Sequence, residues 1–363
     1  MAYKSRYDSL ERDALNALFD LVSIPNRNLD QFFLNQSSIS NIVSIGGCPS
    51  SGTTLTADLL DSIDGFLCDP ELGFFSIQES YEAWDILKQD LLLTNYKSVC
   101  GYAKPRPFFN LKYLDLLGIP KHYLWYLMYH SSSLYEFVRT YALFRAHARE
   151  RKITVYAEKT PANICFAQRF LDSIPHSFFV YVVRHPVSTI NSLMRRGYSF
   201  KDATWIWLSQ NSYAISLLNS PQCFVIKYED LLHSPFHTIS KVAEVISGVQ
   251  YNPENTRISY EKNSFRRSLP RPQSWNFNSN NWRVLPPSQS RISFSKSLLE
   301  WLHNVSIAAT EYTVSVSMVE ICSILNYSLD SKDFTFNDAD YLEYDSLKSK
   351  KKLYLADQES LFS

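Results

Sequence analysis

No two of the six cysteines (Cys48, Cys68, Cys100, Cys165, Cys223, Cys322) form a C-x-x-C pair, and none has a histidine beside it at ligand spacing. That spacing indicates neither a zinc site nor a disulfide scaffold. Net charge is missing as well: 36 Lys+Arg balance 36 Asp+Glu, so a strongly basic nucleic-acid binder is excluded and any polyanion must meet a local patch. No window approaches 18 uninterrupted apolar residues, and the opening MAYKSRYDSLERDAL lacks the apolar stretch of a signal peptide. The expectation is a cytoplasmic protein with reduced thiols, no metal, and neither nucleic acid nor membrane as a partner. Internal repeats are also lacking.

What the chain does have is size and aromatic weight. Its 363 residues are two domains' worth by length, or one α/β domain with insertions. Hydrophobic residues make up 45% and charged residues 20%, which excludes a wholly disordered chain. Aromatics reach 15%, with 23 Tyr and 23 Phe; they either fill the core or line pockets for flat, greasy ligands.

Leu10, Leu15, Leu18, Phe19 and Val22 recur at helical spacing, so residues 1–40 read as a helix followed by a polar lead-in loop. Ile42 to Ile45 is a short β-branched run ending at Gly46-Gly47. The following TTLTADLLDSI places Leu55, Leu59, Leu60 and Ile63 on one helical face, giving strand, Gly-rich loop, helix. The alternation returns at Ser177–Val183 and at Cys223–Tyr228, with a further strand at Thr154–Ala157. Apolar strands interleaved with helices predict an α/β fold with a mostly parallel sheet covered on both faces. Residues 41–330 form this domain. Residues 80–150, helical in period and rich in aromatics, read as a helical insertion, either an acceptor pocket or a structural cap. Tyr251 to Arg291 has no clear period and reads as a long functional or disordered loop, and residues 331–363 as a charged tail.

Gly47-Cys-Pro-Ser-Ser-Gly52-Thr53-Thr54 has the four-residue interval of the P-loop G-x-x-x-x-G-K-[ST], between a strand and a helix where that loop must lie. Backbone N–H groups, the hydroxyls of Ser51, Thr53 and Thr54, and the helix N-terminus together make a nest for an anion. Thr53 occupies the lysine position. A kinase or ATPase needs that lysine on its β- and γ-phosphates, so the loop fits a single terminal phosphate better. Arg184 closes a second strand, where its fork faces the ligand crevice and suits a phosphate.

Pro49-Ser-Ser-Gly-Thr-Thr-Leu55 resembles the first motif, P-[KR]-S-G-T-T-[LW], of the sulfotransferases that use 3′-phosphoadenosine 5′-phosphosulfate (PAPS). YVVRHPVSTINSLMRR resembles their second element, a strand-end Arg followed eight residues later by Ser. Glu158-Lys-Thr-Pro161 and Tyr228-Glu-Asp-Leu231 follow the family's order of strings, and the resemblance spans about residues 41 to 248, with Trp282-Arg283 as a further match. It implies a P-loop α/β enzyme that moves a sulfuryl group from PAPS, releasing 3′,5′-ADP, to a hydroxyl of a small-molecule acceptor without a metal. It further implies that Ser50, Ser51, Gly52, Thr53 and Thr54 bind the cofactor together with Arg184 and Ser192, the latter two on the 3′-phosphate. Cys68-Asp-Pro-Glu71 resembles the segment where the glutamate-using branch, which includes the tyrosylprotein enzymes, carries its base. His122 and His130 are the alternative bases. In YEDL the acidic pair suits a helix start, which favours a structural role.

The chain departs from that pattern at Ser50, where most members have Lys or Arg to stabilise the leaving phosphate. Lys159 at a strand end is the favoured substitute, with Lys104 and Arg106 as others. Two rival readings remain: a P-loop kinase of a nucleoside or small molecule, and a non-catalytic nucleotide-binding protein on a degenerate sulfotransferase fold. Composition and motifs leave the acceptor and the oligomeric state open.

Overall fold

The computed structural model describes residues 39–89, 117, 121–262, 300, 302, 304–308 and 315–329. The leading helix, Lys104, Arg106, Trp282-Arg283 and the charged tail lie outside the described residues. Strands β1 (Asn41–Gly46), β2 (Gly65–Asp69), β3 (Ile153–Lys159), β4 (Ser177–Val183) and β5 (Cys223–Lys227) form one sheet in the order β2-β3-β1-β4-β5. Each neighbouring pair is parallel. The mostly parallel α/β sheet read from the sequence is therefore what the chain forms.

Parallel strands need crossovers, and the sequence supplies them as helices. Helix α1 (Thr53–Asp61) follows β1 and α2 (Glu79–Glu82) follows β2; α3 (Lys121–His130) and α4 (Leu134–Ala148) precede β3, and α5 (Ala167–Ser173) precedes β4. Between β4 and β5 run α6 (Pro186–Arg195) and α7 (Phe200–Ala214). The starts are coded locally: Pro186 opens α6, and the Ser199 hydroxyl accepts the Asp202 N–H at the head of α7.

Because strand side chains alternate, β4 sends Phe179, Tyr181 and Val183 into one core and Val180 and Val182 into the other. The first core takes Phe137 and Tyr141 of α4 and Trp207 of α7; the second takes Leu59 and Leu60 of α1. Phe137 and Tyr141 meet Phe74 edge-on, at centroid distances of 5.2 and 4.9 Å. Phe137 and Tyr141 of the 80–150 region thus fill the core.

Two elements differ from the sequence reading. β2 was not among the expected strands; it is five residues long and stands at the sheet edge, where no run of β-branched residues marks it. The stretch after Tyr251, read as irregular, contains a helix. Beyond α8 (Tyr228–His233) and α9 (Pro235–Ser247), α10 (Pro253–Lys262) starts at a proline, with Asn252 Oδ1 accepting the Glu254 N–H. Thr256 and Tyr260 are its buried side. A short hairpin of β6 (Ser306–Ala308) and β7 (Ser315–Ser317) leads into α11 (Met318–Ile324), which carries a Ser317/Glu320 capping box. Among the described residues no helix is long and apolar enough to cross a membrane.

Candidate active site

β1 and β4 are adjacent, yet the chain leaves β1 toward β2 and leaves β4 toward β5. The crevice at their carboxyl ends is thus the switch point where open α/β sheets bind ligands. The Gly47–Thr54 loop leaves β1 and the Arg184–His185 corner leaves β4. Arg184 Nη1 bridges them, donating to the Ser50 carbonyl at 3.1 Å.

The loop turns sharply at the head of α1. Gly52 has φ 97° and caps α1 without a side-chain hydrogen bond, and no acidic residue lies in the first turn. Ser50 also lies in the left-handed region, at φ 72°, so the backbone turns sharply on both sides of Ser51. The Ser51 hydroxyl is fully buried and has no hydrogen-bond partner among the described residues, and a buried polar group left so is costly. Thr53 is buried and Thr54 half-exposed. Cys48, in the same loop, is buried, and burial pushes its thiol upward, which removes it as a nucleophile.

A Cβ on Gly52 would stand 2.3 Å from the Tyr228 ring in a left-handed backbone. Gly52→Ala is expected to destabilise the fold by ~1–3 kcal/mol and to weaken anion binding. Thermal melts with and without 3′,5′-ADP check this; an unchanged ligand-induced shift overturns it.

Lys159, the last residue of β3, is 1% exposed, and its Nζ lies 2.5 Å from Glu71 Oε1 and 3.2 Å from Thr54 Oγ1. A base candidate, a cation and the phosphate loop therefore converge. Glu71 is half-buried, two residues beyond β2. The end of β2 is pinned by Asp69, which takes a forked pair of bonds from Arg145 (2.9 and 3.1 Å) and one from Tyr141 (3.0 Å). All three side chains are buried.

Arg184 is half-buried. Burial lowers its pKa, while Tyr228 and Glu229 act in the other direction, and its guanidinium lies 4.5 Å from the Tyr228 ring centroid. A bound anion would offset that desolvation. Ser192 is half-buried on α6. The YEDL acids occupy the first turn of α8, as read; Glu229 additionally accepts the His185 N–H (3.0 Å) and the Tyr327 hydroxyl (2.8 Å).

Sequence reading missed one cation. Arg196, just past α6, donates from Nη1 to the Ser50 hydroxyl at 3.2 Å, at the very position that lacks a lysine or arginine. A signal was there: Ser192 and Arg196 are four residues apart and so share a helix face. His130 is exposed at the end of α3, edge-on to Tyr129, and His122 lies on the same helix.

A parallel sheet with a Gly-rich loop leaving β1 and Arg184 leaving β4 across its switch point is an α/β fold of the P-loop type. The chain belongs to the sulfotransferase family, whose sequence model matches residues 43–253. Among solved structures it is similar to the sulfotransferase domain from the Synechococcus PCC 7002 olefin synthase, at 16% identity and TM-score 0.50, over 81% of this chain and 97% of that one. The sulfotransferase domain from the curacin biosynthetic pathway follows at 18% identity and TM-score 0.44, over 80% and 99%. Sulfotransferase STF9 from Mycobacterium avium stands at 14% and 0.39, over 90% and 85%. At 16% identity the likeness to the olefin synthase domain is one of fold. No curated protein matches by sequence.

Proposed function

We propose that this sulfotransferase takes its sulfuryl group from PAPS and transfers it to a hydroxyl of a small-molecule acceptor, with Glu71 as general base. The observation that carries the reading is the Glu71–Lys159–Thr54 contact at the head of α1. Ser50, Ser51, Gly52, Thr53 and Thr54 would hold the 5′-phosphate, and Arg184 with Ser192 the 3′-phosphate. The buried Ser51 hydroxyl, without a partner among the described residues, and the half-buried Arg184, whose pKa burial lowers, fit such a ligand.

PAPS supplies a sulfuryl group on a phosphate oxygen, an activated donor that needs no metal. Glu71 takes the acceptor hydroxyl's proton, the acceptor oxygen bonds to sulfur, and the S–O bond to the 5′-phosphate breaks. Lys159 neutralises the charge that collects on the departing phosphate, and the loop amides of α1 add to it. Thr53, buried in the lysine position, gives triphosphate chemistry no cation there.

Incubation with PAPS and a panel of hydroxylated compounds, followed by intact-mass analysis, is expected to show a gain of one SO3 with release of 3′,5′-ADP. ATP consumption instead would establish the kinase reading, and tight 3′,5′-ADP binding without turnover on any acceptor would establish the binding-protein reading. Arg184→Ala is expected to weaken 3′,5′-ADP binding by ~2–4 kcal/mol, comparable to truncating one partner of a buried charge pair. Calorimetry reads it, and undiminished affinity removes Arg184 from the site.

A further inference from the structure

β3 ends in two charged residues that are both buried, Glu158 at 0% and Lys159 at 1% exposure. Successive strand residues face opposite sides of a sheet, and here both reach the same short segment. Lys159 holds the Glu71 carboxylate. Glu158 holds the main chain that follows it: Oε1 accepts the Leu72 N–H at 2.8 Å and the Gly73 N–H at 3.0 Å. The Thr160 hydroxyl donates to the same oxygen at 2.6 Å and itself accepts the Gly73 N–H at 3.1 Å, while Asn163 Nδ2 donates to Oε2 at 2.8 Å. Gly73 has φ 79°, so Leu72 and Gly73 present successive N–H groups as a nest. Its anion is a side chain of the protein itself.

A buried carboxylate is an expensive way to hold a turn, since desolvation must be offset by several donors. Burial does raise the Glu158 carboxyl, against the hydrogen bonds from Asn163, Thr160, Gly73 and Leu72. What that expense secures is the placement of one residue. A general base must be held within roughly 0.5 Å of its productive geometry, and Glu71 is a long side chain at a half-exposed position after a strand end. Fixing the two peptides beyond it removes the backbone freedom that an ion pair alone would leave.

We propose that Glu158 is the positioning residue for Glu71, acting by anchoring the Leu72–Gly73 turn from the opposite face of the sheet. This rests on the reading of Glu71 as the base. Glu158→Ala is expected to lower turnover roughly 10- to 100-fold, in the range of a misplaced catalytic group. The dissociation constant of 3′,5′-ADP should stay within about threefold, because Glu158 makes none of the loop contacts. Amide exchange over residues 70–76 should speed up about tenfold or more as the anchored N–H groups open. Glu158→Gln should recover most of the activity: its carbonyl can keep Leu72 and Gly73, and Asn163 can turn its amide to offer Oδ1, an atom without a partner among the described residues. In a Glu71→Gln background, Glu158→Ala should cost nothing further, since there is no base left to place.

Wild-type turnover in Glu158→Ala, an equal loss in both backgrounds, or a loss of 3′,5′-ADP affinity to match the loss of rate would each overturn the assignment. If Glu158→Ala does not fold, Glu158→Asp, one methylene short of the nest, answers by the same measurements. Failure of wild-type protein to bind 3′,5′-ADP, or full turnover in Glu71→Gln alone, would defeat the underlying reading instead and is separable from these results.

Discussion

Glu71→Gln is expected to reduce turnover by roughly 10²- to 10⁴-fold while 3′,5′-ADP affinity stays nearly intact. The amide keeps the size and the hydrogen bond toward Lys159 but cannot take a proton. The 2.5 Å contact with Lys159 Nζ makes the side chain's position depend on that cation, so the substitution is conservative in shape and radical in chemistry. Steady-state turnover at saturating acceptor, together with calorimetry on 3′,5′-ADP, checks it. Wild-type turnover would remove Glu71 and turn attention to His122 and His130. His130 is a poor substitute on its surroundings, being exposed at the end of α3.

How far the sequence foretold this site follows from where its residues stand. The loop, Arg184 and Lys159 each sit at the carboxyl end of a strand that is a strong apolar run, so locating the strand located the residue. β3 shows this: Thr154–Ala157 was enough to put Lys159 at the ligand edge, although the strand runs from Ile153 to Lys159. Glu71 rests on the resemblance of Cys68-Asp-Pro-Glu71 to the family's base segment, without the strand that precedes it. β2 could not be read because GFLCD is short and owes its burial to partners far along the chain, Arg145 and Tyr141 closing over Asp69. Glu158 illustrates the other limit. Its string was visible, but its contacts depend on the tertiary approach of Leu72 and Gly73 from 86 and 85 residues away, which no local pattern encodes. Arg196 lies between: the helical spacing from Ser192 was legible, whereas the contact with Ser50 follows from how α6 packs beside the loop.

Lys159→Met is expected to lower turnover by about 10²- to 10³-fold, equivalent to ~3–4 kcal/mol in the barrier, with a smaller change in 3′,5′-ADP affinity. The reason is that charge on the 5′-phosphate grows as the S–O bond breaks, so a cation beside it acts more on the transition state than on the bound donor. Methionine fills much the same volume, which limits the packing cost at a site 1% exposed. Lys159 has two tasks open to it, however, since its Nζ contacts both Glu71 and Thr54. Combining Lys159→Met with Glu71→Gln separates them: if the lysine only held the base, the double variant would be no slower than Glu71→Gln, whereas a cation acting on the leaving phosphate makes the losses multiply. The multiplied loss is the expected result. Adding Ser50→Lys to Lys159→Met should then restore part of the rate, because it returns a cation to the loop by a second route. Full activity in Lys159→Met would assign the leaving-group charge to Arg196, whose guanidinium already stands 3.2 Å from the Ser50 hydroxyl, and Arg196→Ala would then show the loss.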